Sequence, residues 1–260
     1  MRAGMTPFPY RTLDEVVDGL SHWEARLQAD GDRRAIFATL YGVVSAEIRE
    51  RVEAGAFGDN QWVRRYAVTF ANFYRQALED DEAGRSAAVP KAWRLAFEAA
   101  RAGNGLVLQD LLLGVNAHVN NDLPLALTAV TIDPERQSRY DDHARVNGVL
   151  ASVTDRASER IAALYAPGLP GLDACAGELD EMLSLFSLQV ARESAWEAAV
   201  ALANARSNGE RALVTRLIGS RAAVLARVLR TPSLSPSLIA ACRRLEAGIN
   251  WAALIMARGQ

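Results

Sequence analysis

A histidine and an aspartate lie four residues apart in a stretch that is otherwise strongly apolar. His118 and Asp122 are flanked by leucine-rich segments at residues 106–113 and 125–127. Residues four apart share one face of a helix, so the imidazole and the carboxylate can meet. A carboxylate bound to an imidazole fixes its tautomer and lets it work as a general acid or base near neutral pH. We therefore predict that both residues are catalytic.

Further polar residues surround this pair. Asn120 and Asn121 lie between the two, and Asp110 falls on the same helical stripe two turns before His118. Burying so many polar groups is costly unless each finds a partner. We predict that the two amides orient a substrate and that Asp110 helps to bind it. The alternative is a polar network that only fixes the packing of a buried helix, and the sequence leaves both interpretations open.

A proline and a glycine bracket the pair. Pro124 has no N–H, so it predicts a kink or an end of the helix and leaves the Asn120 carbonyl without its usual donor. Gly114 lies one turn before His118, and its missing side chain leaves room for another helix or a ligand beside the imidazole.

A second polar cluster lies within residues 189–197. Glu193 continues the apolar stripe of its predicted helix, which makes it a third catalytic candidate, with a pKa that burial would raise. Arg192 and Trp196 are predicted to bind substrate, Trp196 as a wall of the pocket. The alternative is a buried Glu–Arg ion pair between helices. We expect this helix to lie beside the one that carries His118, because one buried network costs less than two.

A third cluster offers an alternative metal site. His143 and Asp142 flank the apolar stripe of their helix as boundary residues, and Asn147 lies one turn on, where it can satisfy a ring nitrogen of His143. We expect a structural role for His143. The alternative is a divalent metal bound by His118, Asp122 and His143, although the spacing matches no established metal motif. Apart from that alternative, no cofactor is predicted.

The composition excludes several classes of protein. The 29 basic and 31 acidic residues give a net charge of −2, which provides no positive field for nucleic acid. No apolar run reaches the ~18 residues of a membrane span, and the N-terminus lacks the apolar core of a signal peptide. We predict a soluble, cytoplasmic protein whose partner is a small molecule, with its oligomeric state left open. Cys175 and Cys242 are expected to be separate buried thiols rather than a bridge.

Hydrophobic spacing is helical along nearly the whole chain, and no period-two strand pattern is found. The fold predicted is all-α, one domain over residues 1–260, with a possible minor break at 166–172. Capping residues, glycines and prolines divide it into about nine helices. They are expected at 12–27, 32–55, 59–78, 90–103, from 106 onward with a kink at Pro124, and at 133–165, 173–205, 210–230 and 235–256.

Two blocks of this sequence resemble those of an uncharacterised family of helical bacterial and fungal proteins. Residues 118–127 are similar to its His-Ile/Val-Asn-Asn/Tyr-Asp-Leu-x-x-Ala-Leu signature, and residues 192–196 to its Arg-Glu-x-Ala-Trp block. The resemblance implies that the two helices form the walls of one site. It implies no reaction, because the family has no established activity.

These observations predict an enzyme that acts on a mainly apolar small molecule by proton transfer, such as isomerisation, cyclisation or hydrolysis, in a polar pocket between helices. Two alternatives remain. One is a metal-dependent hydrolase, and the other is a non-catalytic ligand-binding or scaffold protein.

Overall fold

The computed structural model describes residues 9–166 and 187–231, together with 240, 242–244 and 246. These residues are all-helical, as predicted, with nine α-helices, one π-helical segment and no strand. The helices are α1 (Leu13–Ala29), α2 (Ala35–Glu53), α3 (Asn60–Glu82), α4 (Lys91–Ala102), α5 (Val107–Asn116), the π segment (Ala117–Asp122), α6 (Leu123–Ala129), α7 (Arg136–Tyr165), α8 (Leu188–Asn204) and α9 (Asn208–Arg230).

Several predicted boundaries differ from those observed. The helix α3 continues to Glu82, beyond the predicted end at residue 78, because Asp80 is buried and accepts hydrogen bonds from Gln76 and Arg85. The predicted break at 166–172, the start of the helix at 173–205 and most of the helix at 235–256 lie outside the described residues.

The π segment lies at the centre of the described fold. It packs against α3, α4, α8 and α9 in addition to its chain neighbours α5 and α6. Its widened hydrogen bonding is seen at Leu123, whose N–H donates to the carbonyl of His118, five residues earlier. Pro124 follows in the first turn of α6. π-helical turns occur frequently at functional sites.

Gly114 is the point of closest approach between α2 and α5. A methyl group added to it would lie 2.6 Å from ring carbons of Phe37. The prediction that this glycine admits a neighbouring helix beside His118 is confirmed.

None of the described helices combines the length and the apolar character needed to cross a membrane. Cys242 is disulfide-bonded, so the expectation of two separate thiols is wrong. Cys175 lies outside the described residues.

Candidate functional site

His118 and Asp122 contact each other inside the protein, as their spacing predicted. The Nδ1 atom of His118 lies 3.0 Å from Oδ2 of Asp122, and the two side chains are 3% and 1% exposed. The carboxylate is itself held by Trp93, whose Nε1 donates to Oδ2 at 2.8 Å, and by Asn121, whose amide donates to Oδ1 at 2.8 Å. Because an ionised carboxylate only accepts, Nδ1 is the nitrogen of His118 that carries the proton.

Aromatic rings enclose the imidazole of His118. Phe70 stacks on it with a centroid separation of 3.5 Å and an interplanar angle of 5°, and Tyr41 meets it edge-on at 4.5 Å. The rings of Phe37, Trp93 and Tyr74 lie further out. This burial lowers the pKa of His118 below its ordinary value, while the hydrogen bond to Asp122 opposes the shift. The imidazole is therefore neutral at neutral pH.

The second ring nitrogen of His118 is available for chemistry. Nε2 is buried and has no hydrogen-bond partner among the described residues. In the neutral ring with a protonated Nδ1, Nε2 carries the lone pair. It can therefore accept a proton or a hydrogen bond from a bound molecule.

His118 lies in the wall of a cavity of about 490 Å³ between α1, α2, α3, α5, α7 and α8. This volume is within the roughly 300–1,000 Å³ that is usual for small-molecule sites. Most lining side chains are aliphatic or aromatic. The others that carry polar atoms are Tyr41, Ser45, Tyr66, Thr154, Ser158 and Arg192.

Arg192 forms a second buried network at the same cavity. Its Nη2 donates to the carbonyl of His143 at 2.7 Å, and its Nε donates to Oδ1 of Asn147 at 2.7 Å. His143 returns a hydrogen bond from Nε2 to the Arg192 carbonyl at 3.2 Å, and its Nδ1 lies 3.3 Å from the Tyr66 hydroxyl. The expectation that Asn147 binds the His143 ring is therefore wrong, because Arg192 takes the amide.

The environment of His143 keeps it neutral. Burial and the positive charge of Arg192 lower its pKa to about 2, against the opposing hydrogen bond to the Arg192 carbonyl. His143 and Asp142 are fully buried rather than boundary residues. Asp142 accepts hydrogen bonds from the backbone N–H groups of Gly58 and Asp59, each at 2.7 Å, and so fixes the start of α3.

Glu193 does not belong to the site. The side chain is exposed, and its carboxylate accepts a hydrogen bond from the Tyr140 hydroxyl at 3.1 Å. The prediction assumed that an apolar stripe continues through Val190 to Glu193. In the structure Val190 is 66% exposed, because α8 begins at Leu188 and buries a different set of positions. The prediction of a buried Glu193 is wrong, and so is the alternative that Glu193 belongs to a buried Glu–Arg ion pair between helices.

Trp196 is buried but is not among the residues that line the cavity. Its ring packs against His143 and Tyr140 at centroid separations of 5.4 and 5.3 Å. Trp196 therefore packs against the Arg192 network through His143 without lining the cavity. The expectation that α8 neighbours the helix of His118 is confirmed, since α8 packs on the π segment.

The remaining predicted binding residues lie off the cavity wall. Asn120 donates to the side chain of Asn116 at 3.1 Å, and Asp110 pairs with Arg33 at 2.5 Å. Asn121 contacts the candidate site through its hydrogen bond to the carboxylate of Asp122. Asn116, which the sequence analysis missed, is fully buried and donates to the carbonyl of Ala222 at 2.9 Å, tying this region to α9.

His143 is not brought together with the other two residues of the alternative metal site, His118 and Asp122. His118 and His143 belong to the two separate networks described above. Among the described residues, no group of three His, Cys, Asp or Glu side chains is placed to hold a metal ion. The two histidines contact different residues of α3. Phe70 stacks on the ring of His118, and the Tyr66 hydroxyl lies 3.3 Å from Nδ1 of His143.

Trp93 is a residue of the candidate site that sequence reasoning did not identify. It is fully buried on α4, and a buried indole N–H requires an acceptor. That requirement was visible in the sequence, but its acceptor, Asp122, was not.

Neither the curated proteins nor the solved structures contain a match to this chain. A family model matches residues 13–232, a range that includes both sequence blocks and every residue that lines the cavity. The chain therefore belongs to DUF5995, a family of unknown function.

Proposed function

We propose that this chain is an enzyme of small-molecule metabolism that acts on a mainly apolar substrate, with His118 as its general base. One observation carries the proposal. His118 lines the cavity, and its Nε2 atom is buried without a partner among the described residues, while Nδ1 is hydrogen-bonded to Asp122. A buried polar atom left unpaired costs about 1–3 kcal/mol, and a proton on a bound substrate would remove that cost.

The chemistry follows from this arrangement. Nε2 of His118 takes a proton from the substrate, and the imidazolium that forms is stabilised by the negative charge of Asp122. Return of the proton to another position completes an isomerisation or cyclisation, and removal of a proton from water starts a hydrolysis. Tyr41 lines the same cavity, and burial raises its pKa well above the ordinary value, so it stays a neutral phenol able to donate a hydrogen bond to a developing negative charge.

A non-catalytic ligand-binding protein is the second candidate. The lining of the cavity favours it, because most of that lining is aliphatic or aromatic and suits retention of an apolar molecule as well as its conversion.

The cytoplasmic location stays a prediction, and the disulfide at Cys242 is more typical of proteins from oxidising compartments.

The deciding experiment compares the parent protein with His118→Asn. Asparagine can still donate to Asp122, but it lacks the nitrogen that would act as base. Each protein is incubated with pooled lipid-soluble metabolites in H₂O and in D₂O, and the compounds consumed, formed or deuterated are identified by mass spectrometry. His22→Asn is the matched control, because His22 is half-buried on α1 and does not line the cavity.

We expect conversion or deuterium incorporation by the parent and by His22→Asn, and a loss of about 10²-fold or more in His118→Asn. Equal conversion by His118→Asn would refute the acid–base role. Retention of a metabolite by the parent without conversion or exchange would favour the binding protein instead.

A further inference from the structure

We infer that the molecule bound in this cavity is a monocarboxylate, with its carboxylate on Arg192 and an apolar body in the rest of the cavity. This inference rests on the proposed function and specifies its substrate class.

Among the residues that the structure describes, Arg192 is a buried cation without a counter-charge. The residue is 4% exposed, and a guanidinium stays protonated in proteins. Its hydrogen bonds go to the carbonyl and the ring Nδ1 of His143 and to the amide oxygen of Asn147, which are all neutral. In the part of the chain that the structure describes, no carboxylate forms an ion pair with it.

Arg75 is the other buried arginine among the described residues, and it pairs with Glu79 on the next turn of its helix. The partly buried Arg34 forms ion pairs with three carboxylates. Burying a charge without a partner is strongly unfavourable. The exception at Arg192 coincides with the cavity wall, which is where an anionic ligand would supply the missing charge.

The geometry around Arg192 suits a ligand rather than a structural ion pair. The carbonyl of His143 and the amide of Asn147 fix the guanidinium plane without neutralising it. The Tyr66 hydroxyl, also at the cavity wall, lies on the same side chain network. Together they make one charged corner in a cavity whose lining is mostly aliphatic or aromatic, which is the pattern expected for an amphiphilic ligand.

The charge of the corner points to a carboxylate. Nε and Nη2 of Arg192 already donate to Asn147 and His143, so Nη1 is the nitrogen left to donate to a ligand, and its hydrogen bond to a carboxylate is charge-assisted and therefore strong. A phosphate monoester carries up to two negative charges, and a single arginine would leave one of them unpaired in an apolar environment. A carboxylate anchored at Arg192 leaves the apolar part of the molecule within the cavity that His118 also lines.

The test uses decanoate and decanol, two probes of equal chain length, with binding measured calorimetrically at pH 7. We expect the parent to bind decanoate at least about tenfold more tightly than decanol, a difference of about 1.4 kcal/mol. In Asn147→Asp, a carboxylate replaces the amide oxygen that lies 2.7 Å from Nε of Arg192. The new carboxylate at position 147 neutralises the charge of Arg192 in this variant, so the preference for decanoate over decanol should fall to about threefold or less.

Two controls make the result specific. Asn147→Asp changes one atom and should melt no lower than the parent, because it pairs a buried charge. Glu193→Gln alters an exposed carboxylate next to Arg192 and should keep the full preference. Failure of the parent to prefer decanoate, failure to bind it, or a full preference in Asn147→Asp would each overturn the inference.

The outcome is separable from that of the proposed function. His118→Asn should keep the preference for decanoate while losing turnover. Equal binding of both probes by the parent, with His118-dependent turnover intact, would refute the carboxylate inference alone.

Discussion

Replacing Asp122 with asparagine separates the chemical role of this carboxylate from its structural role. Three N–H groups converge on it at 2.8–3.0 Å, from His118, Trp93 and Asn121. In Asp122→Asn, the amide oxygen can keep accepting from His118 and Trp93. The amide nitrogen then faces Asn121, whose side chain can turn to present its oxygen. All three hydrogen bonds can therefore be remade without the charge.

The expected loss of stability is small. A hydrogen bond to a charged group contributes about 1.5–3 kcal/mol and a neutral one about 0.5–1.5, so three bonds lose about 3 kcal/mol. Removing a buried charge offsets a large part of this loss. We expect a net destabilisation of about 1–2 kcal/mol, which lowers the melting temperature of a protein of this size by about 2–8 °C.

The expected loss of function is large. Without the carboxylate, nothing stabilises the imidazolium of His118, so turnover should fall about 10²-fold or more. The hydrogen bond to Asp122 raises the pKa of His118 against the effect of burial, so the pKa should fall further in the variant. Melting curves, NMR titration of the imidazole and a turnover assay on the substrate found by metabolite profiling would measure the three effects.

Asp110→Asn is the matched control, because Asp110 is also buried and hydrogen-bonded but does not line the cavity. It should lower stability and leave turnover unchanged. An Asp122→Asn protein that melts far below the parent yet handles its ligand normally would refute the argument and reduce the His118–Asp122 pair to a helix-packing device.

Three further predictions follow from the geometry. The pKa of His143 is lowered from 6.5 to about 2, so the unfolded state binds a proton that the folded state does not. Below pH 6.5 this group should therefore lower the free energy of unfolding by about 1.4 kcal/mol per pH unit, which urea titrations at pH 6 and pH 5 would measure. In His143→Gln the free energy of unfolding should depend less steeply on pH. Gly114→Ala places a methyl group 2.6 Å from Phe37 and should destabilise by about 1–3 kcal/mol, whereas Gly42→Ala has open space and should stabilise by up to about 1 kcal/mol in the same melts. Glu193→Gln should change stability by less than about 0.5 kcal/mol and leave turnover unchanged, and a large loss of turnover would restore Glu193 to the site.

Much of the fold was predictable because its signals are local. Helical periodicity depends on residues three and four apart, and proline, glycine and capping residues act within one turn. The same locality explains why the contact between His118 and Asp122 was predicted correctly. Their spacing alone brings them together, whatever packs around them.

The errors arose where a local pattern was extended past its element. Glu193 was predicted to be buried because an apolar stripe was continued through Val190, but α8 starts at Leu188 and buries a different face. Asp110 was predicted to bind substrate because it falls on the same helical stripe as His118, but its carboxylate pairs with Arg33 instead. Arg33 comes from another part of the chain, so the spacing along one helix does not encode this contact.

The sequence by itself determined which elements form and that an imidazole and a carboxylate meet on one of them. The tertiary structure decided what these groups can do. The contacts of Trp93 with Asp122 and of Phe70 with His118 join residues 29 and 48 positions apart. The absence of a counter-charge at Arg192 depends on every described helix around it. Such contacts are set by how the faces of several helices fit together in three dimensions, and that fit is a property of the whole packed core rather than of any one segment.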